Sequence, residues 1–283
     1  MIRSLATRKN MKVRLSYVAL IPFLIFFMFP LYWMLITSFK TDTEITSLKG
    51  IPLIIQSKPT LAHYKKIFFE ERLPTWFKNS FIITGLVTLI TMAISILAAY
   101  ALTRMQFFGS QSLGIGIFLT YLVPPALLFI PFFKVVGILG LLNTKWSLLF
   151  IYPTATVPFC TWILIGYFSA IPRQLDEAAF VDGASYFQML TRVFLPVATP
   201  GLIAATMFAF TVSWANFLYP LAFIYRHDEQ VLTAGIYTSL VKGDVYFWGE
   251  LMAAALVASV PVVVLFAFLM DYYIAGLTKG TIK

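Results

Sequence analysis

Six stretches of this chain are long, unbroken and apolar: Tyr17 to Phe39, Ser80 to Leu102, Ser112 to Phe133, Trp146 to Phe168, Gly201 to Tyr225 and Leu251 to Ile274. A bilayer core takes about 20 consecutive apolar residues per helix, so each run is long enough to cross one. Asp271, close to the end of the sixth run, is the one Asp, Glu, Lys, Arg or His inside these bounds. Strands of a membrane barrel would instead alternate apolar and polar residues over segments of about 10. Charged residues make up 12% of the chain, against roughly 25% in soluble domains. The reading is one polytopic all-α membrane domain over residues 1–283, with six transmembrane helices.

Arg3, Arg8, Lys9, Lys12 and Arg14 precede the first run, without an acid among them. That run is too long for a secretory signal and no A-x-A-like cleavage site follows, so it reads as a retained anchor. The two sides of a six-span chain receive almost equal numbers of Lys and Arg, because the loop Lys40 to Asn79 holds many of them. Charges flanking the first span usually dominate orientation, and these favour a cytoplasmic amino terminus. The net charge of +9 is therefore a topology signal. No clustered basic stripe interleaved with aromatics points to nucleic acid.

Absences narrow the function. An ion-coupled carrier usually holds an ionisable residue at membrane depth, and none lies in the middle of a run. There is no G-x-x-x-x-G-K-[ST] phosphate loop, so energy for uphill transport would come from another chain. Cys160 is the only cysteine, and His63 and His227 are the only histidines and fall in separate loops. That leaves no metal site and no catalytic constellation, and no cofactor bound by the chain itself. Prolines punctuate five of the runs and tend to kink helices, which fits a pathway with moving parts as well as it fits ordinary membrane helices.

Between the fourth and fifth runs, residues 169–200 contain "RQLDEAAFVDGASYFQML", three carboxylates in a chain poor in acids. The stretch predicts two short helices joined by a turn. Pro172 suits a first-turn position, and Asp176 and Glu177 lie where the helix dipole favours acids. Leu175, Ala178 and Ala179 make a small-residue face. Gly183 is placed for a left-handed C-terminal cap. Ser185 and Gln188 have capping-box spacing, and Pro196 closes the second helix. Such a knob on the cytoplasmic side would suit a partner's groove; an ordinary interfacial loop would read the same way from these residues alone.

"EAAFVDGASYFQMLTRVFLP" resembles the EAA motif of ABC importer permeases: E-A-A, three residues, G, nine residues, I-x-L-P. Glu177, Ala178, Ala179, Gly183, Val193, Leu195 and Pro196 match, with Val193 in place of the usual Ile. Further likeness lies in "FPLYWMLITSFKT", "NSFIITGLVTLITMAISILAAYALTRMQFFG", "SWANFLYPL" and "AGLTKG". Together they are similar to the carbohydrate-uptake subfamily, and to the six-span subunit of the maltose-type permease pair.

The resemblance implies a pore shared with a second, homologous permease subunit. It also implies two cytoplasmic ATPase subunits that use ATP and Mg, and an extracytoplasmic solute-binding protein that delivers a sugar-like substrate. It places the chain in a prokaryotic inner membrane with both termini cytoplasmic. Glu177, Ala178, Ala179, Asp182, Gly183, Ala184, Val193, Leu195 and Pro196 would then form the ATPase-coupling loop, and Lys279 and Gly280 a tail contact with the ATPases. Trp214, Asn216 and Tyr219 in the fifth run offer aromatic faces and a polar group for a sugar; helix packing by Asn216 and interfacial anchoring by the rings are the alternative use. Two rival classes share the apolar pattern. A vitamin-type coupling subunit lacks this motif spacing, and an ion-coupled secondary transporter would need a charge at membrane depth.

Overall fold

In lipid every backbone polar group must be satisfied within its own segment, and the apolar runs accordingly fold as helices. The structure is a computed structural model that describes residues 2–47, 51–105 and 107–279, with side-chain surroundings for residues 17–47, 51–105, 107–270 and 272. Its main helices are α1 (Ile2–Phe39), α2 (Leu73–Arg104), α3 (Ser110–Tyr121), α4 (Pro125–Ile138) and α5 (Leu148–Ser169). They continue with α6 (Gln174–Val181), α7 (Tyr186–Met189), α8 (Thr199–Trp214), α9 (Leu218–Phe223), α10 (Leu232–Leu240) and α11 (Trp248–Lys279). Two two-residue strands, β1 (Val241–Lys242) and β2 (Val245–Tyr246), pair antiparallel with Val241 opposite Tyr246.

Among the described residues five helical segments are long and apolar enough to cross a membrane, or six if one bent pair counts as a span. That pair corrects the expectation of a single third helix over 112–133. α3 and α4 meet at 93° around Pro124 and Pro125. Two successive prolines remove two backbone donors and push the residue before them out of the helical region. α4 then starts on Pro125 and runs on to Ile138, past Lys134. The fifth span is also interrupted, between α8 and α9.

Two compact units organise the contacts, residues 1–71 with 238–259 and residues 72–237 with 260–283. In the larger unit α2, α5 and α8 pack on one another. Lipid tails are as apolar as leucine, so close packing and interhelical hydrogen bonds hold these helices together. Ala99, Ala205 and Ala209 are fully buried. A Cβ on Gly201 would run into the Tyr167 ring, so only glycine lets that backbone approach so closely. Thr91 and Thr156 share a hydrogen bond of 2.6 Å between α2 and α5, and Ser95 Oγ donates to the Val157 carbonyl at 3.2 Å. The hydrophobic cluster around Tyr100, Phe168, Met189, Leu190 and Phe194 extends this core to the loop after α5.

The smaller unit is held by polar groups. His63 is 3% exposed. Its Nε2 lies 2.8 Å from the Lys40 carbonyl and its Nδ1 3.4 Å from Glu250 Oε2. Lys66 Nζ takes the other carboxylate oxygen at 2.8 Å.

Candidate coupling site

The loop after α5 folds as two helices and a turn. α6 begins at Gln174, two residues after Pro172, and carries Asp176 and Glu177 in its first turn. Its end is a Schellman motif: Gly183 N donates to the Phe180 carbonyl at 3.0 Å and Ala184 N to the Ala179 carbonyl at 2.9 Å. Gly183 has φ +78, the left-handed conformation that glycine adopts without steric cost. Ser185 caps α7 through a complete capping box, with Ser185 N donating to Gln188 Oε1 at 2.8 Å. The Phe180 and Tyr186 rings meet edge to face at 5.3 Å across the turn. A π-helical segment, Leu190–Phe194, follows α7 and leads into the short turn Leu195–Val197.

The faces divide clearly. Glu177, Ala178, Asp182, Gly183 and Pro196 are exposed, and Ala184 is half-buried. Ala179, Val193 and Leu195 pack against the buried cluster. The expected face of Leu175, Ala178 and Ala179 is thus split, with Ala179 turned inward and Leu175 42% exposed. Val181 and Phe187 project furthest, at 88% and 71% exposed. A projecting apolar tip rimmed by Glu177 and Asp182 is suited to a groove in a partner.

Sequence reading missed what holds Asp176. Arg104, the last residue of α2, places Nη1 3.0 Å from Asp176 Oδ2. The one available signal was an arginine closing an apolar run far along the chain from any acid.

The other candidates lie elsewhere. Trp214 is buried, stacked on Phe210 at 5.7 Å and edge-on to Phe77 at 5.5 Å. Tyr219 is buried too and donates its hydroxyl to the Pro125 carbonyl at 3.1 Å. Asn216 sits at the break between them, its carbonyl accepting from Thr233 Oγ1 at 2.6 Å. The Asn216 side-chain oxygen accepts from Tyr219 N at 3.4 Å. Gly280 and the side chain of Lys279 lie outside the described residues.

The fold also assembles a group the sequence had separated. Asp42, His63 and Glu250 offer ligand atoms within 4.8 Å of one another. Both nitrogens of His63 face acceptors, which calls for the doubly protonated ring, and Lys66 adds a second cation. Glu250 chiefly, with the Lys40 carbonyl and Asp42 assisting, raises the His63 pKa against the effect of burial. These charges make an ion-pair network, in which the two cations already supply what a metal ion would.

The chain is 34% identical to the inner membrane ABC transporter permease protein YcjP of Escherichia coli (strain K12), over 99% of this chain and 100% of that one. It is 36% identical to the trehalose/maltose transport system permease protein MalG of Thermococcus litoralis, over 90% of this chain and 91% of that one. Its fold matches, with a TM-score of 0.79 at 20% identity, a chain of a bacterial ABC transporter involved in the import of the acidic polysaccharide alginate, covering 94% of this chain and 98% of that one. The family model described as the binding-protein-dependent transport system inner membrane component matches residues 91–279, from the middle of α2 through the loop of α6 and α7 to the end of α11. With that match spanning the motif and the helices that carry it, the chain belongs to the binding-protein-dependent transport system inner membrane components.

Proposed function

We propose that this chain is one of two homologous permease subunits lining the translocation pathway of an ATP-driven importer for a carbohydrate or polyol. An extracytoplasmic binding protein delivers the solute, and two ATPase subunits, which bind ATP and Mg, drive the cycle through residues 169–200. The observation that carries this reading is the bent knob of α6 and α7, with its left-handed Gly183, exposed Val181 and Phe187, and acids at the rim. The sugar class is supported by the names of relatives such as the trehalose/maltose permease.

The amino and carboxyl termini then lie in the cytoplasm with the knob, and Lys279 and Gly280 reach toward the ATPases. In the fifth span Asn216 is the polar group that meets solute. Trp214 and Tyr219 are buried in this conformation, so they contribute only when α8 and α9 shift.

Reconstitution of the chain with its second permease, ATPase and binding protein is the test. Uptake of sugar should require all four components and ATP, and the chain alone should neither hydrolyse ATP nor transport. Uptake that survives ATP depletion and follows an ion gradient would overturn the reading in favour of a secondary transporter.

A further inference from the structure

Arg104 stands where the second span meets the coupling loop, and its side chain is only 6% exposed. Nη1 pairs with Asp176 Oδ2 at 3.0 Å in the first turn of α6. Nη2 donates to the Phe168 carbonyl at 2.7 Å and to the Ile171 carbonyl at 2.6 Å, where α5 ends. The guanidinium carbon lies 4.6 Å from the centroid of the Phe194 ring, at the end of the π-helical segment. One cation therefore touches the entry of the loop, its first helix and its exit.

Each contact has a physical reason. A cation at the last carbonyls of α5 and an acid at the start of α6 both complement the helix dipoles. The charged hydrogen bonds are strengthened by their half-dry setting, and the flat guanidinium fits over an aromatic face as an ammonium on a flexible stem does not. Spare bonding capacity lies beside it. Buried Arg104 Nε, Asp176 Oδ1 and the Tyr100 hydroxyl have no hydrogen-bond partner here, and Tyr100 packs edge-on against Phe194 at 5.2 Å. Unmade buried bonds are unfavourable, and a tilt of α6 that let these groups pair would relieve them. Such a cluster has the makings of two discrete arrangements.

We propose that Arg104 is a positioning residue for energy coupling: its pairing with Asp176 makes α2 and the knob move as one body, so that displacement of the knob by the ATPase reaches the second span. This rests on the reading of residues 169–200 as the ATPase-docking element.

The test uses the assembled transporter in proteoliposomes with its binding protein, and compares Arg104→Gln, Asp176→Asn, the double variant and Arg104→Lys with Gly183→Val. The readouts are membrane abundance, co-purification of the ATPase, and solute transported per ATP hydrolysed. Arg104→Gln and Asp176→Asn should assemble normally yet lose solute per ATP by a factor of about 5 to 150, the usual range of coupling between linked sites. The double variant should be no worse than either single one, because both cut the same link, and Arg104→Lys should fall between. Wild-type stoichiometry in Arg104→Gln, additive losses in the double variant, or loss of both single variants from the membrane would each overturn the proposal. If Gly183→Val uncouples transport while Arg104→Gln does not, only the Arg104 link fails. If Gly183→Val is also silent, the docking role of the loop fails with it.

Discussion

Replacing Gly183 by valine isolates backbone conformation from side-chain packing. A Cβ built on Gly183 meets nothing within 4 Å, so the first added carbon creates no clash, and φ of +78 supplies the main penalty. For an ordinary L-residue the left-handed region costs roughly 1 to 2 kcal/mol, and β-branching makes valine a poor occupant. Against this stand the two turn hydrogen bonds of 3.0 and 2.9 Å, each contributing a net of about 0.5 to 1.5 kcal/mol. The two effects are comparable, so the bent loop should fall from nearly the whole population to roughly half of it or less. Because the knob lies outside the apolar spans, membrane abundance should be unchanged while ATPase co-purification and binding-protein-stimulated hydrolysis decline. Gly183→Asn, which tolerates the left-handed region, should behave almost as the native chain. Full assembly and uptake in Gly183→Val would refute the reasoning, and a loss in the asparagine variant equal to that in valine would move the cause from backbone to side chain.

Glu177→Ala should weaken stimulated hydrolysis at most about fivefold, since an exposed polar contact rarely contributes more; a larger effect would mean that the carboxylate is buried in the complex. The raised pKa of His63 sets a pH dependence in the smaller unit. Its stabilising contribution is complete below the ordinary value of 6.5 and is lost as pH rises through the higher folded value. Thermal unfolding midpoints should therefore decline on the alkaline side in the native chain, and His63→Gln should abolish that part of the slope. Gly235→Ala should destabilise the larger unit by about 1 to 3 kcal/mol through overpacking, because its Cβ would run into the Trp76 ring; unchanged membrane abundance and melting would contradict the tight approach.

Local chemistry was legible and long-range pairing was not. The Gly183 cap and the Ser185–Gln188 capping box follow from residues within a few positions of one another, and both are present. Prolines announced irregular helices, but nothing in a sequence window separates a kink from a break. The pair Pro124–Pro125 gives the 93° turn, whereas Pro22 and Pro30 lie inside the continuous α1. Three of the polar links, Arg104 with Asp176, Lys66 with Glu250 and Trp76 with the His227 carbonyl, join residues far apart in the chain. Each needs the tertiary fold before the partners are identifiable. The membrane setting compounds this, since runs that are apolar on all sides carry no periodicity from which an inward face is read.

The three carboxylates of the loop show how far a few positions divide roles. Successive residues on a helix point about 100° apart, so Asp176 turns toward Arg104 while Glu177 turns outward. Asp182 ends the helix, exposed, just before the left-handed residue. A carboxylate that faces Arg104 bears on how the loop is held to the second span, and one that faces outward bears on what the loop touches. Removing the negative charge at Asp176 should therefore change solute moved per ATP with the ATPase still bound, whereas removing it at Glu177 should change the affinity for the ATPase with the stoichiometry preserved. If both substitutions altered the same quantity by the same factor, the division of the loop into an anchoring face and a docking face would be wrong, however well each hydrogen bond in it is formed.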